Sequence, residues 1–203
     1  MSKTVSELTV QEREGRIMRI NSTHKMEARG LDQYFTPPEA TQALISLERL
    51  PRLIWEPCCG DGAIVKPLRR AGHEVFASDI AHYGLRGTKV KDYLQFQRPR
   101  RFGGIVTNPP FNLAMQIIEK ALHDAPYVAV LLRLNFLEST RRMPFFQAHP
   151  PSRIWVSSRR LPMMSRYGWT GPTAPSNICF AWYIFDGGGK CEIKWFDWKE
   201  WND

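Results

Sequence analysis

A short apolar run that ends in an acidic, glycine-rich turn decides the fold: residues 53–62 read LIWEPCCGDG. Leu53–Trp55 is apolar and stops at an acidic residue followed by proline, which predicts a short buried strand. Gly60 and Gly62 allow the backbone to turn tightly and to approach a ligand closely. Apolar residues resume directly afterwards, so the stretch predicts a strand, a tight loop and then a helix over about 64–70.

Strands and helices alternate outward from this stretch. Helical spacing of apolar residues predicts helices that begin at Thr36 and that extend over about 113–123 and 138–147. Short apolar runs predict seven further strands, at Glu74–Ser78, Thr88–Val90, Gly104–Thr107, Tyr127–Leu132, Ile154–Ser157, Ile178–Phe185 and Glu192–Phe196. This alternation predicts an α/β domain with a mostly parallel sheet and helices on both faces.

A polar residue follows each of four predicted strands or lies close after it, namely Glu56, Asp79, Asp92 and Asn108. The carboxyl ends of parallel strands meet at one edge of a sheet, and ligands of open α/β sheets bind there. We therefore expect these four residues to lie close together and to form the functional site.

The loop at Glu56–Gly62 is typical of a site for a ligand without phosphate groups. It lacks the third glycine of the dinucleotide fingerprint, and the chain has no GKS or GKT of a P-loop. The N-terminal amides of the helix that follows favour a carboxylate. Asp79, at the end of the next strand, can accept two hydrogen bonds from a ribose diol.

Two further polar residues have alternative roles. Thr36 precedes two prolines and is predicted to N-cap the helix that begins there, where it can also hydrogen-bond a carboxylate. Asp92 can accept a hydrogen bond from the exocyclic amine of an adenine, or it can cap a short turn. The residues alone leave both alternatives open.

The tetrapeptide Asn108-Pro109-Pro110-Phe111 follows a buried strand and indicates the chemistry. The prolines fix the backbone and donate no hydrogen bonds, so the carbonyl groups here can be directed at a ligand. An amide oxygen and a backbone carbonyl can both accept hydrogen bonds from an NH2 group, which makes its nitrogen more nucleophilic. Phe111 can stack on a flat ring that bears this amine. Positioning and preorganised polarity would then supply most of the catalysis.

Composition limits the class of protein. A chain of 203 residues with 43% hydrophobic residues is long enough for one α/β domain. The formal net charge of +8 favours a polyanionic partner such as nucleic acid, although a merely basic surface explains it equally well. The four cysteines have no CxxC spacing, which predicts reduced thiols, no metal and a cytoplasmic protein. No apolar stretch is long enough to span a membrane.

These motifs resemble those of the S-adenosylmethionine-dependent amino-group methyltransferases, especially the DNA adenine-N6 methyltransferases. Their order, with the Thr-Pro segment first and the tetrapeptide last, is similar to the gamma arrangement. The chain looks like the small enzymes of phages and mobile elements, which have no separate target-recognition domain. The resemblance implies a Rossmann-like class I methyltransferase fold with a mostly parallel, seven-stranded sheet. We expect a tail or lid over residues 1–30 and one catalytic domain over residues 31–203.

The resemblance also implies a role for each motif. The loop would hold the methionine part of S-adenosylmethionine, Asp79 its ribose and Ile80 its adenine ring. The full set of expected cofactor-binding residues is Tyr34, Phe35, Thr36, Glu56, Pro57, Cys59, Gly60, Gly62, Asp79, Ile80, Asp92 and Tyr93. The residues that hold the target amine would be Asn108, Pro109, Pro110 and Phe111.

The long loop at Ser158–Asn177 is the candidate for substrate contact. Basic and aromatic residues that alternate can bind phosphates and stack on bases. In this loop they are Arg159, Arg160, Arg166, Tyr167 and Trp169. An alternative is that its aromatic residues only cover the edge of the sheet. We expect methylation of the N6 amine of adenine in DNA, with a short or loose target sequence. The alternatives are RNA, a glutamine side chain of a protein, and a nucleic-acid-binding protein on a decayed enzyme fold.

Overall fold

The computed structural model describes residues 36–97, 101–163, 178–188 and 190–201. Within these ranges the helices are α1 (Pro38–Leu47), α2 (Val65–Arg70), α3 (Ala114–Asp124) and α4 (Met143–Ala148), with short 3-10 helices at Leu134–Leu137 and Trp198–Trp201. The strands are β1 (Leu53–Glu56), β2 (Glu74–Asp79), β3 (Lys89–Val90), β4 (Gly104–Thr107), β5 (Tyr127–Arg133), β6 (Arg153–Ser157), β7 (Phe180–Phe185) and β8 (Glu192–Phe196). The predicted tail over residues 1–30 lies outside the described residues, so the predicted division of the chain stays a prediction.

One sheet contains all of these strands, in the order β3-β2-β1-β4-β5-β7-β6-β8. Strand β7 runs antiparallel to both of its neighbours, and every other pair is parallel. The prediction of a mostly parallel sheet is therefore confirmed. The resemblance implies seven strands, whereas the sheet has eight: each of the eight predicted apolar runs contributes a strand, and β8 pairs in parallel with β6 at one edge.

Helices cover both faces of the sheet, as predicted. On the first face, α3 and α4 pack through residues such as Ile118 and Phe145. On the second face, α1 and α2 pack through residues such as Leu44 and Leu68. Adjacent residues of a strand point to opposite faces, so Trp55 of β1 packs in the first core and Ile54 in the second. This central position of β1 brings the loop that follows it to the middle of the sheet edge.

Helix α1 is held against the sheet at both of its ends. The Trp182 indole donates a hydrogen bond of 2.8 Å to the carbonyl oxygen of Ala40 in the first turn. At the other end, the Glu48 carboxylate accepts hydrogen bonds from the Arg153 guanidinium at 2.7 and 2.8 Å and from the Trp155 indole at 2.7 Å. These contacts span more than 100 positions of sequence, and they hold α1 against β6 and β7.

The start of α1 corrects one prediction. Thr36 was expected to be the N-cap, but Pro37 is the N-cap residue and no side chain caps the helix. Proline fits at this start because its missing N–H would have no partner in the first turn. The Thr36 hydroxyl is consequently available for a contact across the edge of the sheet.

Candidate functional site

The carboxyl ends of β1, β2 and β4 bring three predicted site residues to one edge of the sheet. Glu56 ends β1, Asp79 ends β2 and Asn108 directly follows β4. Thr36, Cys58, Cys59, Gly60, Asp61, Ala63, Ile64 and Asn108 line one pocket there. The glycine-rich loop and the tetrapeptide, which are far apart in sequence, thus face the same cavity.

Asp79 holds the loop in place from β2. Its Oδ2 accepts a hydrogen bond of 2.7 Å from the Gly60 amide, and its Oδ1 accepts one of 2.7 Å from the Ile80 amide. Burial raises the pKa of the Asp79 carboxyl, while the amide hydrogen bonds act against this rise. A carboxylate offers about four acceptor positions, so these two contacts leave capacity for a ligand hydroxyl.

Glycine is required at the end of the loop. Gly62 has a φ of 89°, which side chains rarely allow, and a Cβ there would lie 2.7 Å from Leu85 Cδ1. Gly60 also has a positive φ, of 50°. Gly62 thereby lets the glycine-rich loop pass close to Leu85, in the loop before β3.

A hydrogen bond joins the first and the last motif of the sequence. The Asn108 Nδ2 donates to the Thr36 Oγ1 over 3.1 Å, although the two residues are 72 positions apart. This contact sets the orientation of the Asn108 side-chain amide: Nδ2 points toward Thr36, and Oδ1 points away from it. The Thr36 side chain is buried, so the contact is shielded from water.

Glu56 lies fully buried behind the loop. Its Oε1 accepts hydrogen bonds from the Thr107 hydroxyl at 2.6 Å and from the Cys58 amide at 3.0 Å. Its Oε2 has no hydrogen-bond partner within the part of the chain that the structure describes. Burial raises the pKa of Glu56 from 4.5 to about 8, and the two hydrogen bonds act against this rise.

The raised pKa of Glu56 predicts how stability depends on pH. Between about 4.5 and 8 the folded state holds a proton that the unfolded state has released, so the free energy of unfolding falls as pH rises. The slope from this group is at most about 1.4 kcal/mol per pH unit, and it disappears above the folded pKa. Urea unfolding at several pH values should show this extra slope in the wild type and not in Glu56→Gln. Equal pH dependence of the two proteins would contradict the assignment.

Tyr93 is placed differently from the expectation. Its ring is buried against Trp55, with ring centroids 4.9 Å apart, and its hydroxyl donates to Asp124 of α3 over 3.1 Å. The Tyr93 side chain therefore belongs to the first core and cannot contact a ligand at the sheet edge.

Asp92 caps a turn, which is one of its two predicted roles: its carboxylate accepts a hydrogen bond of 3.0 Å from the Leu94 amide. Ile80 follows β2 and is 58% exposed, as a residue that packs on a ligand ring can be.

Phe111 lies on the second face of the sheet, partly buried. Its ring centroid is 6.1 Å from that of Phe180, and the two rings are tilted by 39°. The guanidinium carbon of Arg133 lies 3.9 Å from the Phe111 ring centroid. Sequence reasoning missed this contact, because 22 positions separate the two residues, and Phe111 follows β4 whereas Arg133 ends β5.

The start of the predicted substrate loop is anchored to the sheet. The Arg159 guanidinium forms three hydrogen bonds of 2.8–3.1 Å with the Asp197 carboxylate, which balances its charge. Arg160 is exposed, and its Nη1 donates to the Cys179 Sγ. The expected ligand contacts at Tyr34, Phe35, Arg166, Tyr167 and Trp169 lie outside the described residues.

The four cysteines are free within the described residues. Burial raises the pKa of both Cys58 and Cys59, so the two thiols stay protonated near neutral pH. In the ranges that the structure covers, no group of three histidine, cysteine or acidic side chains has the geometry to hold a metal ion. No helix there has the length and apolar character needed to cross a membrane.

Comparison with known proteins identifies the fold. No protein-family model and no curated protein matches the chain. A solved structure from Pyrococcus horikoshii, described as an RNA methyltransferase, matches with a TM-score of 0.59 at 15% identity, over 76% of this chain and 87% of that chain. A class I S-adenosylmethionine-dependent methyltransferase described from Listeria monocytogenes matches with a TM-score of 0.59 at 14% identity, over 96% of this chain and 75% of that chain.

A third similar structure is described as the modification subunit of a type I restriction enzyme from Vibrio vulnificus. It matches with a TM-score of 0.56 at 16% identity, and the match covers 94% of the present chain. The present chain spans only 53% of that subunit. Together these likenesses show a Rossmann-like fold of the class I methyltransferase type.

Proposed function

We propose that this chain transfers a methyl group from S-adenosylmethionine to the exocyclic N6 amine of adenine in DNA, with a short or loose target sequence. One observation carries the proposal: the glycine-rich loop and Asn108 line the same pocket at the carboxyl edge of the sheet. A cofactor held by the loop would therefore lie next to a residue that can hold an amine. The fold, which is that of class I methyltransferases, supports the same assignment.

The residues in and around the pocket fit the cofactor. Glu56 Oε2 is buried without a partner in the described ranges, and an ammonium group of the cofactor placed there would pair with it and favour the ionised carboxylate. Asp79 keeps acceptor capacity for a ribose diol, and exposed Ile80 offers an apolar surface for an adenine ring. Glu56, Asp79 and Ile80 would thus hold the methionine, ribose and adenine parts, respectively. We assign seven other described residues to this site: Thr36, Pro57, Cys59, Gly60, Gly62, Asp92 and Tyr93. Tyr93 would contribute its backbone alone, because its side chain lies in the first core.

The chemistry follows from the tetrapeptide. When bound, S-adenosylmethionine supplies a methyl group on a positively charged sulfur. Asn108 Oδ1 and the Pro109 carbonyl would accept hydrogen bonds from the target NH2 group and increase the electron density on its nitrogen. Phe111 would stack on the ring that bears the amine and align the nitrogen with the methyl group. The proton of the amine can leave after the transfer, so no strong base is required.

Thr36 would act as a positioning residue for Asn108. Its hydroxyl accepts the Nδ2 hydrogen bond, and this leaves Oδ1 oriented for the amine. We expect Thr36→Val to lower kcat by about 5-fold, the equivalent of one hydrogen bond of about 1 kcal/mol. Steady-state kinetics with a methyl-labelled cofactor measures the effect.

Thr41→Val is a matched control for this substitution. Thr41 is a buried threonine of α1 whose hydroxyl has no hydrogen-bond partner among the described residues. The replacement of its hydroxyl by a methyl group should leave kcat unchanged. Equal kcat values for Thr36→Val and Thr41→Val would remove Thr36 from the site.

Nucleic acid is the substrate class that the chain favours. The net charge of +8 attracts a phosphate backbone, and Phe111 suits a flat base better than a glutamine side chain. Two proteins with a similar fold are described as acting in RNA methylation and in restriction-modification. For DNA contact, we retain Arg160 and the predicted Arg166, Tyr167 and Trp169, whereas Arg159 would have to exchange Asp197 for a phosphate.

A substrate screen tests the proposed function. The purified chain is incubated with methyl-labelled S-adenosylmethionine and with unmethylated DNA, RNA or total protein, and the label in each polymer is counted. We expect label in DNA and little in RNA or protein. Label in protein alone would contradict the proposal. Label in RNA alone would contradict DNA as the substrate and would indicate an RNA methyltransferase.

A further inference from the structure

Arg133 lies on the ring that we assign to base stacking. It is the last residue of β5, and its guanidinium carbon is 3.9 Å from the centroid of Phe111. Leu131 packs in the second core, and side chains two positions apart share a face, so Arg133 points to the same face as Phe111. The ring also contacts Phe180, which lies in that core. The guanidinium therefore covers ring surface that a stacked base would need.

The backbone that carries Arg133 is fixed on both sides of the residue. The buried Tyr183 hydroxyl lies 3.3 Å from the carbonyl oxygens of Arg133 and Leu134 and donates to them. The Leu134 amide donates to the Cys179 carbonyl over 2.8 Å. These contacts hold the Cα of Arg133 beside the site.

The turn that follows Arg133 is held by a second arginine. The Arg142 guanidinium donates to the carbonyl oxygens of Phe136 at 2.6 Å and of Glu138 at 3.0 Å. It also lies 4.5 Å from the centroid of the Phe136 ring. Arg142 thus stabilises the local structure, whereas the guanidinium of Arg133 lies against a residue of the proposed site.

We propose that Arg133 is a residue that binds the target nucleotide. The target base would replace the guanidinium on the Phe111 ring, and the guanidinium would move to a phosphate of the same nucleotide. An arginine suits both positions, because its plane stacks on aromatic rings and its paired N–H groups match two phosphate oxygens. This inference rests on the proposed function, and it predicts that the substrate is a nucleotide with a phosphate.

Two probes separate the base contact from the phosphate contact. One is adenosine, which has no phosphate, and the other is a fluorescein-labelled single strand of twenty deoxyadenylates. Both are titrated in saturating S-adenosylhomocysteine, so that adenosine cannot occupy the cofactor site. The proteins are the wild type, Arg133→Ala, Arg133→Lys and the control Arg70→Ala, which removes an exposed arginine from the end of α2 that is remote from the loop.

We expect Arg133→Ala to bind the oligonucleotide about 10-fold more weakly or worse, because a charge-assisted hydrogen-bond pair is lost. The slope of log K against log salt should become shallower by about 0.7, the value for one phosphate contact on a single strand. Adenosine affinity should stay equal or increase. Arg133→Lys keeps the charge and should keep the salt slope, with an intermediate affinity, and Arg70→Ala should match the wild type.

Other outcomes overturn the inference. An Arg133→Ala protein with the oligonucleotide affinity and salt slope of the wild type would show that Arg133 does not contact the nucleotide. A parallel loss of adenosine affinity would show that Arg133 only supports the Phe111 ring. A wild-type protein that binds S-adenosylhomocysteine but neither probe would overturn both this inference and the proposed substrate class. Calorimetry with S-adenosylhomocysteine, unchanged in all variants, confirms that each variant is folded.

Discussion

Asn108→Ala should lower kcat for methyl transfer by about 100- to 1000-fold, the usual effect when one preorganised polar group of a catalytic site is removed. The substitution deletes the acceptor that we assign to the target amine, and it also deletes the donor to Thr36. The affinity for S-adenosylmethionine should change little, because the loop at Glu56–Gly62 is anchored separately through Asp79. Single-turnover kinetics and calorimetry measure the two effects independently.

Asn108→Asp refines this prediction. Aspartate keeps an acceptor oxygen for the amine but loses the Nδ2 donor to the Thr36 hydroxyl. We therefore expect an activity between those of the wild type and Asn108→Ala. An Asn108→Ala protein with a wild-type rate would remove Asn108 from the catalytic site, and one without cofactor affinity would show that its role is in cofactor binding.

Asp79→Ala should raise the Kd for S-adenosylmethionine by about 10- to 100-fold, as expected when a hydrogen-bonding carboxylate is lost. The Gly60 and Ile80 amides both lose their acceptor, and the ribose diol loses its partner. Asp79→Asn keeps an acceptor for the Gly60 amide and should cost less. Asp197→Ala, which removes a carboxylate beyond β8, should leave the Kd unchanged. Calorimetric titration measures both values, and equal Kd values for Asp79→Ala and the wild type would exclude Asp79 from the site.

The pattern of the sequence was sufficient to predict the fold and the edge of the sheet at which the candidate site residues meet. Apolar runs such as Leu53–Trp55 and Tyr127–Leu132 are buried strands because each is short and bounded by turn residues. The polar residues that follow them converge because parallel strands end at a common edge. These are local features, and local sequence encodes them directly.

Contacts between distant segments were not predictable in the same way. Thr36 was expected to cap α1, yet its hydroxyl meets Asn108, and this pairing depends on how α1 packs across β1 and β4. Tyr93 was expected at the ligand, yet its ring fills the first core beside Trp55. An isolated tyrosine after an aspartate does not indicate which way its side chain points.

Two arginines illustrate the same limit. The sequence placed Arg159 in a basic cluster, but its charge is balanced by Asp197, 38 positions away. The notable contact is instead that of Arg133 with Phe111. Charge clusters in a sequence thus identify candidates for phosphate contact, and only the folded arrangement distinguishes those that are paired with acids.

The identity of the methylated nucleoside tests the central claim most directly. DNA without N6-methyladenine is incubated with the protein and deuterated S-adenosylmethionine, digested to nucleosides and analysed by mass spectrometry. We predict that the deuterated methyl group is found in N6-methyldeoxyadenosine, and that Asn108→Ala yields almost none. Label on a ring carbon of a base, on a sugar oxygen or only in co-purifying protein would contradict the account.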